Sequence, residues 1–232
     1  MGTSSARRAP TTRLWRRAKG AATRYLAPEG GKGLEAREVV ARYLAALGEE
    51  PDPGNSGLLG EFRLTRKVGQ NLGALAAEVA SRGWDAALAE RGLSGEAGST
   101  RPKAAAVLAG ALMEADGGLE GAATRSSLSV VLQDLKVAEQ IDPPQIVSRF
   151  LAEALYQRLV LDLGESLEAA SQGYGHWRQG LDGLKSWIAE AGKLEEPPPQ
   201  QWRGLAGWKW VTLALEKMAD RLLKPAAHVA GG

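Results

Sequence analysis

The segment that most constrains this chain is Ile141 to Leu163, where a helix start, a helix interior and a buried face coincide. Asp142 is a good N-cap, Pro143 takes the first helical position where a missing N–H loses nothing, and Gln145 follows the cap by three residues as in a capping box. Ile141 and Ile146 have the spacing of a hydrophobic staple, and Val147, Phe150, Leu151, Ala154, Leu155 and Leu159 continue an apolar stripe at steps of three and four. Other helices must cover that stripe. A central helix ending near Gly164 is therefore predicted, inside an irregular all-α, multi-helix bundle.

Patterning elsewhere supplies the covering helices. Leu34–Leu47 presents Ala36, Val40, Tyr43, Leu44 and Leu47 on one face, and Leu58–Ala80 does so with Leu58, Phe62, Val68, Leu72, Leu75, Ala76 and Val79. Gly69 and Gly73 lie one turn apart in the second of these, which predicts close packing or a local break, since each costs about 1 kcal/mol relative to alanine. A short helix at Trp84–Arg91 ends at Gly92, and Pro102 starts another that Asp116-Gly117-Gly118 stops. Thr124 or Ser126 is read as the cap of a helix bearing Leu128, Val131, Leu132 and Leu135. Beyond Gly164 the series Leu167, Ala170, Tyr174, Trp177, Leu181, Leu184 and Ile188 predicts an antiparallel partner for the central helix, kinked at Gly173 and Gly175. Scarce β-branched residues agree with helices throughout.

Charge divides the chain unevenly. Residues 1–28 hold Arg7, Arg8, Arg13, Arg16, Arg17, Lys19 and Arg24 and no acid, so with a formal total of +2 the remainder is net acidic. Residues 1–33 are read as a flexible basic arm, 34–192 as the helical body, and 193–232 as a Pro-rich linker with a Trp-rich C-terminal helix. Within the arm, Thr11–Ala27 suits a helix with Leu14, Trp15, Ala18, Ala22 and Tyr25 on one side. Its arginines have three readings: contacts to nucleic-acid phosphates, contacts to an acidic partner or membrane surface, or a solvated outer face on a helix packed against the body. Trp202, Trp208 and Trp210 cluster after Pro197-Pro198-Pro199 and either dock back on the body or recognise a partner.

Chemistry is sparse. There are no cysteines and only His176 and His228, so no thiolate or multi-histidine metal site is expected, nor any cofactor. Gly30-Gly31-Lys32-Gly33 lacks the spacing of a phosphate loop, and no nucleophile elbow or dinucleotide turn appears. The pairs Asp162/Glu165 and Glu195/Glu196 are read as solvated charges and His176 as a surface residue. No catalytic residue is expected. No apolar run is long enough to span a bilayer, and a cytoplasmic location is expected.

Taken together, Met1-Gly2-Thr3-Ser4-Ser5, the basic Pro-containing arm, the segment from Phe62-Arg63-Leu64 to Gly73, and the Ile141-Asp142-Pro143 helix running to Gly164 resemble the B component of Qat antiphage defence systems. The Met-Gly-Thr-Ser start and residues 128–172 carry the likeness most specifically; the tail after 195 lies outside it. The resemblance implies a non-enzymatic helical protein working beside an ATPase, a QueC-like enzyme of 7-deazaguanine chemistry and a TatD-like nuclease. It further implies that the QueC-like enzyme modifies a glycine N-terminus, here Gly2, with Thr3 and Ser4 as recognition residues.

Overall fold

The computed structural model describes residues 12–27, 34–48, 57–96, 100–113, 118–135 and 140–224. The expected hinge at 28–33 and most of the loop at 49–57 lie outside them. Helices occur in the order α1 (Arg13–Tyr25), α2 (Ala36–Gly48), α3 (Leu58–Glu61), α4 (Arg63–Arg82), α5 (Trp84–Ala89), α6 (Arg101–Leu112), α7 (Leu119–Leu135), α8 (Pro143–Ala170), α9 (Tyr174–Ala191) and α10 (Leu205–Leu223). Among the described residues there is no strand, and the protein is an all-α, multi-helix bundle.

Helix α8 is the hub. Its start follows the sequence signals: Asp142 Oδ1 accepts the Gln145 N–H at 3.5 Å, Pro143 and Pro144 occupy the first turn, and Ile141 and Ile146 pack against the core. Helices α1, α4, α7, α9 and α10 all pack on it. It does not end near Gly164. Leu163 and Leu167 are fully buried on either side of that glycine, and their burial, roughly 1.5–3 kcal/mol each, outweighs a helix penalty of about 1 kcal/mol.

Three other expected boundaries are corrected. The helix expected over Leu58–Ala80 breaks at Phe62, whose ring is buried while its backbone leaves helical geometry (φ −118°, ψ 32°). The series from Leu167 to Ile188 belongs to two helices: Ser171-Gln172-Gly173 separates them, with Gly173 at φ +112°, a conformation that favours glycine. Helix α7 begins at Leu119, so Thr124 and Ser126 are interior rather than capping. Thr124 instead joins its hydroxyl to that of Thr65 at 2.8 Å, and nearby Ser127 Oγ donates to the Ala123 carbonyl.

Of the three readings of the basic helix, packing on the body with the arginines outward is the one that the described residues 12–27 match. Thr12 caps α1 by accepting the Trp15 N–H, and Trp15, Ala18, Ala21 and Ala22 are buried against α2 and α8, with Trp15 edge-on to Tyr43 at 5.9 Å. An apolar face of this size removes itself from water by packing on the body, which is why this part of the chain is core and not tether. At the far end, Tyr25 Oη donates to the Gly180 carbonyl at 3.0 Å and Leu26 lies over Gly180.

Candidate functional site

The expected site residues fall in three places, and the C-terminal tryptophans are the most tightly bound into the fold. The segment 193–201, which has no regular secondary structure, delivers Trp202 onto α4, where the missing side chain of Gly73 leaves its seat: a Cβ there would lie 2.1 Å from Trp202 Cε3. Gly69, one turn away, brings α4 close to Val211 and Phe150. Trp210 packs edge-on to Trp202 with ring centres 5.0 Å apart and donates its Nε1–H to the Pro197 carbonyl at 2.8 Å. Trp208 covers the Arg66 guanidinium, 4.6 Å from its ring centre. Trp202 and Trp210 are 7% and 8% exposed, so docking, one of the two readings of this cluster, describes them, and they offer little surface for a partner.

Arg66 is itself buried. It donates to the Leu59 carbonyl at 2.8 Å and the Thr212 hydroxyl at 3.2 Å, and burial lowers its pKa from the ordinary arginine value. It ties α3, α4 and α10 together.

Sequence patterning missed a buried ionic cluster joining α2, α3 and α8. Arg158, 4% exposed, places Nη2 2.9 Å from Glu61 Oε2 and Nε 3.1 Å from Asp162 Oδ2, while the Tyr43 hydroxyl donates to the same Asp162 oxygen at 2.7 Å. Asp162 is thus no solvated helix charge. Burial pushes the Tyr43 phenol well above 10, and the adjacent Asp162 charge adds to the effect. For Arg158 burial acts downward, yet Tyr43, Asp162 and Glu61 outweigh it and leave the pKa raised. A second polar contact lies alongside. Glu120 accepts from the Thr65 N–H at 2.8 Å, capping the first turn of α4 from a neighbouring helix, and burial raises its pKa against the opposing pull of those hydrogen bonds.

A groove of about 710 Å³ opens between the first half of α8 and the end of α9. Glu153, 7% exposed, lies in it with Lys185 Nζ at 2.9 Å and Gln157 Nε2 at 2.8 Å, and Lys185 also stands 5.3 Å from the Tyr156 ring centre. Such a carboxylate neutralises a local cation. His176, in the first turn of α9, accepts the Gln172 N–H on Nδ1 at 3.2 Å and so shapes the helix start. Among the described residues no group of acids and histidines is suited to holding a metal ion.

The third group is the basic one. Arg13, Arg16 and Arg17 are exposed on α1, opposite its buried face. Gly2, Thr3, Ser4, Arg7 and Arg8 lie outside the described residues. No described helix is long and apolar enough to cross a membrane.

Comparison with known proteins adds a family to this geometry. A family model described as QatB, Qat anti-phage system associated protein, matches residues 54–192, more than half of the chain and the span from α3 to α9. No curated protein and no solved structure matches.

Proposed function

Since the chain belongs to the QatB family of Qat anti-phage system associated proteins, we propose that it is a non-enzymatic component of such a system, the partner and N-terminal modification substrate of a QueC-like deazaguanine enzyme, working beside an ATPase and a TatD-like nuclease. Removal of Met1 exposes the Gly2 amine. Thr3 and Ser4 follow it as small recognition residues, and the cytoplasm is the compartment in which this takes place. The family match supports the system; the sequence of the first five residues supports the modification.

One structural observation carries the reading furthest. Helix α1 is held in the core from Trp15 onward, so Thr12 is a fixed point from which the preceding residues start. Gly2 lies ten positions before it, and an extended chain of ten residues reaches at most about 33–36 Å. That distance is enough for a thin Gly-Thr-Ser terminus to enter a partner's active site while the helical body serves as the docking surface. An α-amine has a reference pKa of about 7.7–8.0, so a nucleophilic neutral fraction exists near neutral pH with no activating residue in this chain.

The test is intact and N-terminal peptide mass spectrometry of the protein co-expressed with the other components of its system, beside a Gly2→Pro variant. We expect a mass increment on Gly2 and loss of phage defence in Gly2→Pro. An unmodified terminus while defence is active, or full defence with Gly2→Pro, overturns the proposal.

A further inference from the structure

The outer face of α1 gathers four arginines with no acid among them. Arg13, Arg16, Arg17 and Arg24 are all exposed, and at 3.6 residues per turn they fall within about 100° of one another around the helix. None makes an ion pair among the described residues, and α1 contains no acid. Elsewhere the protein neutralises many of its cations: Arg37 with Glu35, Arg82 with Glu90, Arg91 and Arg203 with Glu78, Arg149 with Asp134, Lys185 with Glu153, Lys193 with Glu190, and Lys217 with Glu196. Like charges three and four residues apart weaken a helix by roughly 0.2–0.5 kcal/mol per pair. The fold therefore carries a small, uncompensated repulsion on a helix whose other side is fixed in the core.

We infer that this face is a binding surface for the phosphate backbone of nucleic acid. The stripe from Arg13 to Arg24 is about 16 Å long at 1.5 Å per residue, a length over which duplex DNA presents on the order of ten phosphate charges. Gly20 lies in the middle of the stripe, the space where its Cβ would be is open, and Arg24 Nε donates to its carbonyl at 3.1 Å, so no side chain other than the arginines stands over this part of the face. Two observations favour nucleic acid over other polyanions. Protein interfaces have an apolar centre, but none of the exposed large apolar side chains, Leu161, Tyr174, Leu205, Leu213 and Leu223, belongs to α1. Helices that rest in a membrane surface insert an apolar face, and here Trp15, Ala18, Ala21 and Ala22 have committed that face to the core. What remains is ionic, and suits binding that follows the backbone without reading bases.

The proposal fixes a salt dependence. Four phosphate contacts give a slope of log K against log salt of about −3.6 on duplex and about −2.8 on single strand. The full-length protein is titrated against a labelled 20-base-pair duplex and its single strand between 50 and 200 mM salt by fluorescence anisotropy. A variant with Arg13, Arg16, Arg17 and Arg24 all changed to Gln is measured beside a control with Arg63, Arg125, Lys209 and Lys224 changed to Gln. The control removes the same charge from exposed cations elsewhere on the surface. Circular dichroism and urea midpoints establish that both variants fold. We expect the α1 variant to lose roughly a hundredfold or more in affinity at 100 mM salt and its slope to flatten by about 3–4 on duplex, while the control stays within a few-fold of the parent. Absence of binding by the parent at 50 mM salt, equal losses in both variants, or binding only to vesicles of phosphatidylserine and phosphatidylcholine, overturns it.

Discussion

Replacing Gly73 by alanine tests whether the C-terminal segment is held by shape at one residue. The added Cβ would lie 2.1, 2.4 and 2.6 Å from Cε3, Cζ3 and Cδ2 of Trp202, well inside the contact distance of about 3.5–4 Å. The ring has no room to retreat. Gln70 Nε2 donates to the Trp202 carbonyl at 3.1 Å, Trp210 stands against the ring edge, and the same carbonyl lies where a Cβ of Gly207 would be. Eviction of the indole costs about 3–5 kcal/mol, as a buried Trp→Ala change does, and a helical Gly→Ala change returns up to about 1 kcal/mol. The expected net loss for Gly73→Ala is therefore about 2–4 kcal/mol. In a Trp202→Ala background the obstacle is gone and only the helix term remains, so the same substitution stabilises by roughly 0.5–1 kcal/mol. The two backgrounds thus differ by about 3–5 kcal/mol, a coupling read from urea midpoints at constant m value. A Gly73→Ala protein within about 0.5 kcal/mol of the parent, or an equal loss in both backgrounds, refutes the reasoning.

Two further expectations concern the buried cluster. Arg158→Met removes the buried guanidinium that bridges Glu61 and Asp162, and its cost in urea unfolding is expected to be about 3–5 kcal/mol, far above that of removing an exposed partner such as Arg82, which pairs with Glu90 at the surface. Tyr43 has a folded pKa raised above its ordinary value of 10, so its contribution is fully present below pH 10 and is lost as pH rises through the folded value. Thermal midpoints measured from pH 9 to 11 should fall, and Tyr43→Phe should flatten that fall, with a remainder from Tyr25 and Tyr156, whose pKa values are also raised by burial. An unchanged slope in Tyr43→Phe would count against the network.

The parts of the fold legible in the sequence are those set by neighbours in the chain. Asp142, Pro143 and Gln145 mark the start of α8 because a cap and its target are three residues apart, and the stripes on α2, α4 and α9 are visible because helical period repeats locally. Boundaries that depend on distant packing were not legible. Gly164 looks like a stop until Leu163 and Leu167 are seen to be buried together, and Thr124 looks like a cap until Thr65 is found against it. The same holds at the cluster: Tyr43, Glu61 and Asp162 meet through Arg158 although Tyr43 and Asp162 stand 119 residues apart, and nothing in the local pattern separates Asp162 from a solvated helix charge. Gly69 and Gly73 were the one long-range feature the chain announced, because a glycine pair inside an amphipathic helix asks for something to lie against it.

That pair sets an order of events during synthesis. The shallow trough over Gly69 and Gly73 is finished when the ribosome has made α4, but its lid, Trp202 with Val211, is about 130 residues further along. At about 5–20 residues per second, the nascent chain carries an open apolar trough for roughly 6–26 s. Translation that stops anywhere between α4 and α10 leaves a chain whose matched family region can be largely complete while its surface is still unsealed, the kind of surface that chaperones and proteases recognise.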